Sequence, residues 1–264
     1  MGESPWGFKS LRPHQSDYGW MNNMFEFKLG SFPIRLHWSY LLLIILVLGA
    51  GFGVIGILIW LIAVLVAILI HELAHGVMAR RQGALLDHVM LYGLGGVTVW
   101  NERYGSGVNW KSRIWIAAAG PVTGLGLGLV GYAGIRYGLF GEAMQSAVNV
   151  PWRLGLRYWA IQGDWLSFTI ACLVWMSLAW AAINLLPMGG LDGSQILAEV
   201  LERKNPRDGR KQAAWVGVIV AGLAAIYAVI VLRSWLIAFV FGMFALNDYA
   251  RINDQPPPFG NFRR

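Results

Sequence analysis

A run of seventeen uncharged residues, VIGILIWLIAVLVAILI (Val54–Ile70), leads directly into HELAH at His71–His75. An apolar stretch of this length is a transmembrane signature, because about 20 such residues wound as a helix cross the hydrocarbon core of a bilayer. An ionisable side chain at that depth costs about 2.5–3.5 kcal/mol or more. Three of them within five residues therefore need a partner that compensates for their burial.

The rest of the chain agrees with a lipid environment. Its 264 residues are 56% hydrophobic and 13% charged, against roughly 45–50% and about 25% in soluble domains. The expected fold class is an all-α polytopic membrane protein with about six transmembrane helices and a small β-hairpin or sheet on the cytoplasmic side. Cys172 is the one cysteine, which excludes an internal disulfide framework. The net charge of +7 is explained by basic membrane loops, so nucleic acid is not an expected partner. The opening stretch MGESPWGFKSLRPHQSDYGW has no apolar segment before a small-residue cleavage site. Targeting is therefore expected to rest on the first span.

Spans are expected near 36–52, 54–80, 112–137, 166–186, 213–232 and 234–248, with the last two joined at the Arg233-Ser234 corner. With the N-terminus in the cytoplasm, 17 of the 21 Lys and Arg residues fall on the inner side. This is a strong positive-inside bias. It puts both termini and the HELAH end of the second span on the cytoplasmic side, in a bacterial or archaeal cell membrane. Residues 25–36 (FEFKLGSFPIRL) alternate around Gly30 and Pro33 and predict a strand pair. Residues 88–100 (HVMLYGLGGVTVW) predict a hairpin, β-rich on both sides of Gly95-Gly96. The expected organisation is a cytoplasmic segment with short strands (1–35), a membrane-embedded domain (36–250) and a disordered tail (251–264).

On a helix, four residues turn about 400°, so His71 and His75 share one face and can bind one Zn²⁺, with Glu72 beside them as a candidate base. The alternative is a polar cluster satisfied by other helices, as in a proton path. A catalytic zinc needs a third protein ligand and an open position. His14, His37 and His88 lie outside the deep spans; His37 reads as an interfacial residue and His88 as a loop or strand histidine. The other deep polar stretch is NLLPMGGLDGSQIL, from Asn184 to Leu197. There Pro187 ends the fourth span, Gly189-Gly190 release the backbone, and Asp192-Gly193 begin a new helix. Asp192 is either an ordinary helix cap or the missing ligand, and the ligand is the better reading beside an incomplete HELAH site.

The two stretches together resemble the site-2 proteases, a family of intramembrane zinc metalloproteases whose signatures are H-E-x-x-H and N-x-x-P-x-x-x-x-D-G. Here they read HELAH (71–75) and NLLPMGGLDG (184–193). The resemblance extends to FPIRLHWSYLLL before the first span and AAAGPVTGLG (117–126) on the third. It implies one Zn²⁺ per chain held by His71, His75 and Asp192, Glu72 as general base, and Asn184 as a residue that holds substrate or the oxyanion. It also implies a single-pass membrane protein as substrate, pre-trimmed by another protease. Some members carry a PDZ domain in a loop and others end in CBS domains. The longest external loop here, about 138–165, is too short for a PDZ domain, and the chain stops soon after its sixth span. A minimal form is therefore expected. Gly124 stands where relatives often have a polar residue.

An extended substrate segment can add to the edge of the 88–100 hairpin, which makes Gly95, Gly96 and Val97 candidate substrate contacts. Two other functions compete. A metal carrier should show further His or Asp ligands along a path, and no second cluster is present. A scaffold that kept a structural zinc has no need of Glu72. Gly120, Gly124 and Gly128 recur every fourth residue and predict a smooth helix face for close packing. They do not form a nucleotide loop, since no strand precedes them and no lysine follows.

Overall fold

The computed structural model describes residues 24–255 apart from 49, 94, 103–106, 148–155 and 157–158. Two hairpins build one sheet. Strands β1 (Met24–Leu29) and β2 (Phe32–His37) are antiparallel, turning at Gly30 with φ +59°. Strands β3 (Leu85–Tyr92) and β4 (Gly95–Asn101) are also antiparallel. Parallel pairing of β2 with β3, with Ile34 opposite Val89, joins them in the order β1-β2-β3-β4. Both strand pairs match expectation, but the second turn differs. It falls between Tyr92 and Gly95, and Gly95 and Gly96 are the first residues of β4, opposite Tyr92 and Leu91. The parallel junction was not legible in either hairpin alone, because it depends on the long helix between them.

That helix is α2 (Gly53–Arg81), whose 29 residues extend about 43 Å at 1.5 Å per residue. This exceeds the ~30 Å hydrocarbon core. Its last turn is anchored to the first hairpin. Arg80 donates to the Ser31 hydroxyl and, at 2.7 Å, to the Ser31 carbonyl, and its guanidinium lies 4.1 Å from the centre of the Phe32 ring. The sheet packs on the C-terminal half of α2, burying Ile34, Val89 and Leu91.

Further helices among the described residues include α1 (Ile44–Val47), α3 (Trp110–Arg136), α4 (Glu142–Ala147), α5 (Trp165–Asn184), α6 (Asp192–Lys204), α7 (Gly209–Ile230) and α8 (Trp235–Ile252). Five of them (α2, α3, α5, α7 and α8) are long and apolar enough to cross a membrane. Large apolar side chains point outward from all five, among them Ile62, Val130, Leu166, Leu223 and Phe239. Exposed patches of that extent are costly in water and suit lipid. The chain is a multi-pass membrane protein.

The first expected span, 36–52, is not a continuous helix. It folds as a 3₁₀ helix (Trp38–Leu43) followed by the four residues of α1. At about 2.0 and 1.5 Å rise per residue this reaches only about 18 Å. Gly51 and Gly53, at φ +77° and +66°, turn the chain before α2 begins. Residues 1–23 and 256–264, the expected N-terminal segment and most of the tail, lie outside the described residues, and α8 continues to Ile252.

Helices α2, α3 and α5 form the core. The glycine face of α3 allows the approach expected of it: an added Cβ at Gly124 would lie 3.0 Å from the Ala181 Cβ, and one at Gly128 2.5 Å from the Leu178 Cγ. Ala181 and Leu178 lie on α5, so the two backbones meet where no side chain intervenes. Gly131 continues the row against Val174.

A candidate metal centre at the sheet end of the bundle

Three elements converge on the turn of α2 that directly follows its apolar run. His71 and His75 lie one turn apart with their Nε2 atoms 3.1 Å from each other. Asp192, the first residue of α6, places Oδ2 3.0 Å from His71 Nε2 and 3.2 Å from His75 Nε2. All three side chains are buried. The N-cap of α6 is Leu191, so Asp192 is not the cap and its carboxylate faces the imidazoles. The local chain accounts for this. Pro187 follows the end of α5, Gly190 takes φ +92°, and Gly193 runs so close to the Leu185 carbonyl that any Cβ would collide with it.

The triangle of 3.0–3.2 Å is close to the ligand-to-ligand spacing of about 3.3 Å that follows from tetrahedral bonds of about 2.0–2.1 Å. The donor set of two imidazoles and one carboxylate suits zinc. His75 Nδ1 lies 2.6 Å from the carbonyl of Ile116 on α3. A carbonyl only accepts, so Nδ1 carries the proton and Nε2 presents its lone pair, as a metal-ligating histidine requires. Space is reserved as well. Gly120 of α3 faces both rings, and a Cβ there would lie 2.6 Å from His71 Nε2 and collide with His75 Nε2. Among the described residues, His71, His75 and Asp192 form the one group of this kind able to hold a metal ion.

Glu72, one residue after His71, meets β4. The Thr98 hydroxyl lies 2.8 Å from both Glu72 Oε2 and the Glu72 carbonyl oxygen. Gly96 rests on the same side chain, where an added Cβ would be 2.5 Å from Cγ and 3.0 Å from Oε1. Sequence reasoning named Gly96 but not Thr98. The period of two along a strand was the available signal, since it puts Gly96 and Thr98 on one face.

The remaining candidates are placed less directly. Gly95, at φ +135°, packs against the Trp180 ring at 2.6 Å from an added Cβ. Asn184 is buried at the end of α5 and donates its amide to the Trp180 carbonyl at 2.9 Å, one turn back. Val97 is buried in β4 opposite Met90. His37 lies beside the Ser39 hydroxyl at 2.7 Å. His88 sits in β3 beside Arg35 and Asp87. Burial first, then the Arg35 charge, push the His88 imidazole below its ordinary pKa. Neither histidine belongs to the cluster, and His14 lies outside the described residues.

The sequence pattern of peptidase family M50 matches residues 59–226, a span that contains every residue of the site. The chain belongs to peptidase family M50. Its relatives include Rip3 of Mycobacterium tuberculosis, assigned as a zinc metalloprotease, at 29% identity over 81% of this chain and 51% of the relative. A zinc metalloprotease of Methanocaldococcus jannaschii is 23% identical over 90% of this chain and 63% of its own length. The chain thus spans between half and two thirds of these relatives. The solved site-2 protease of M. jannaschii superposes with a TM-score of 0.57 at 20% identity, covering 87% of this chain and 95% of that one. The fold is that of the site-2 proteases.

Proposed function

We propose that this protein is an intramembrane zinc endopeptidase that cleaves membrane-spanning segments of other proteins. The observation that carries the reading is the meeting of His71, His75 and Asp192 at 3.0–3.2 Å, with Glu72 on the same helix. His71, His75 and Asp192 would hold a zinc ion, which would supply Lewis acidity towards a water and the scissile carbonyl. Glu72 accepts the proton of the attacking water and delivers it to the leaving amine. Thr98 orients the Glu72 carboxylate, while Gly96 keeps β4 close without covering it.

A substrate helix hides its peptide groups in internal hydrogen bonds and must unwind before it can react. β4 is an edge of the sheet, so an unwound segment can add to it as a fifth strand, passing Gly95, Gly96 and Val97 beside Glu72. Asn184 contributes at the α5 end, holding substrate or the oxyanion. The substrate is a single-pass membrane protein trimmed beforehand by another protease. Both termini and the polar end of the molecule lie in the cytoplasm of a bacterial or archaeal cell. The clustered charges of Arg113, Glu199, Glu202 and Arg210 at the ends of α3, α6 and α7 support that placement. A metal carrier would need a succession of ligand groups along a path, and the described residues offer one.

Purified protein tests the reading against a single-pass reporter in liposomes, with and without a zinc chelator. Glu72→Gln is expected to abolish measurable cleavage while zinc content stays at one per chain, since Glu72 is a base and not a ligand. Loss of a general base costs about 10²–10⁴-fold, so turnover within tenfold of the parent would sink the assignment.

A further inference from the structure

A second carboxylate is buried behind the loop that presents Asp192. Asp248 lies on α8 at 2% exposure. Its Oδ2 accepts the backbone N–H of Gly189 at 2.6 Å, and its Oδ1 accepts from Arg251 at 3.0 Å. Two glycines let it in. An added Cβ at Gly189 would lie 3.2 Å from Asp248 Oδ2 and 2.7 Å from the Phe244 carbonyl oxygen. One at Gly217 of α7 would lie 2.8 Å from Asp248 Cγ and 3.3 Å from the Pro187 carbonyl oxygen. Gly189 is only three residues before Asp192. Between α5 and α6 the chain is held by isolated turn hydrogen bonds, such as Leu191 N–H to the Met188 carbonyl at 3.1 Å.

The packing gives this bond a wider meaning. α8 packs chiefly on α7, and α7 in turn on α6. The last two helices therefore stand as a pair beside the α2–α3–α5 core, and the Asp248–Gly189 bond ties that pair directly to the metal loop. We propose that Asp248 is a positioning residue for the metal centre. By gripping the Gly189 N–H it fixes the loop from Leu185 to Leu191, so that the place of the third ligand depends on the seating of the α7–α8 pair. A substrate or partner that shifts the pair would move Asp192 relative to His71 and His75.

The inference rests on His71, His75 and Asp192 being the metal ligands, and its test separates the two ideas. Full-length protein is compared as Asp248→Ala, Asp248→Asn and Asp192→Ala, by zinc affinity in chelator competition and by amide hydrogen exchange of the metal-free protein. Asp248→Ala is expected to lose about 10–100-fold in zinc affinity, the usual range for groups behind metal ligands. Its segment 185–192 should exchange faster while α2 and β4 remain protected. Asp248→Asn keeps an acceptor for the Gly189 N–H and should restore most of both. Asp192→Ala should lose zinc without loosening the segment in the metal-free state. Parent-like zinc affinity and exchange in Asp248→Ala would overturn the proposal, as would Asp248→Asn failing as badly as alanine. Equal loosening of α2 and β4 would make Asp248 a general stabilising residue and overturn it too. If Asp192→Ala keeps parental zinc affinity, the ligand assignment fails, and the exchange measurements still decide whether Asp248 holds the loop.

Discussion

Gly120 shows how much of a polar centre can depend on a residue with no side chain. It stands on α3 opposite both imidazoles, where the His71 and His75 Nε2 atoms occupy the space a methyl group would need. Gly120→Ala is expected to displace a ring or the metal and to weaken zinc binding by at least as much as Asp192→Ala. Gly126→Ala on the same helix meets nothing within 4 Å and should leave zinc binding unchanged. Chelator competition on the three variants checks this, with Asp208→Ala in the basic loop as a further unaffected control. Equal affinity across Gly120→Ala, Asp192→Ala and the parent would place the metal somewhere else. Asp192 itself was visible in the sequence as a choice between cap and ligand. The choice turned on which way one carboxylate points, and only the α5–α6 loop determines that.

At the scale of elements, β4 is the strand whose role can be tested independently of the metal. Its Gly96 and Thr98 face Glu72, its other neighbour in the sheet is β3 alone, and its far edge is open among the described residues. If substrate adds there, the strand must offer backbone N–H groups. Proline removes one donor and locks φ, whereas threonine keeps the donor and the strand preference. Val97→Pro and Val99→Pro are expected to depress cleavage more than tenfold with zinc content unchanged, and Val97→Thr to cost little. A helix-destabilised substrate assayed alongside reports whether the proline variants retain a working centre. Normal cleavage by both proline variants would remove the strand from substrate capture. The hairpin was legible from its alternation and turn residues. Its register was not, because Gly95-Gly96 look like a turn until the packing of Trp180 and Glu72 shows why glycine is needed inside the strand.

For the whole molecule, the distribution of charge makes the boldest claim. Seventeen of 21 basic residues lie on one side of the spans read from the sequence, and the ion pairs linking Arg113, Glu199, Glu202 and Arg210 gather at that end. A cysteine introduced at Asp208, in a Cys172→Ser background, is expected to react with a membrane-impermeant thiol reagent only in inverted or permeabilised membranes. Labelling from outside intact cells would reverse the topology and move the route by which water reaches Glu72. Among the described residues five helices are long and apolar enough to cross, and the helical segment from Trp38 to Val47 is only ten residues long.

By itself the sequence determined the lipid environment, the helical faces and the candidate metal ligands. These depend on local quantities: the length of an apolar run, the 3.6-residue period, and the chemistry of side chains four residues apart. Only the tertiary structure decided which way Asp192 points, that β2 and β3 join two hairpins into one sheet, that Thr98 reaches Glu72, and that Asp248 holds Gly189 from 59 residues away. Each of these joins elements far apart in the chain, and glycine marks most of the junctions. A glycine in a sequence says that something comes close, while only the packed backbone says what does.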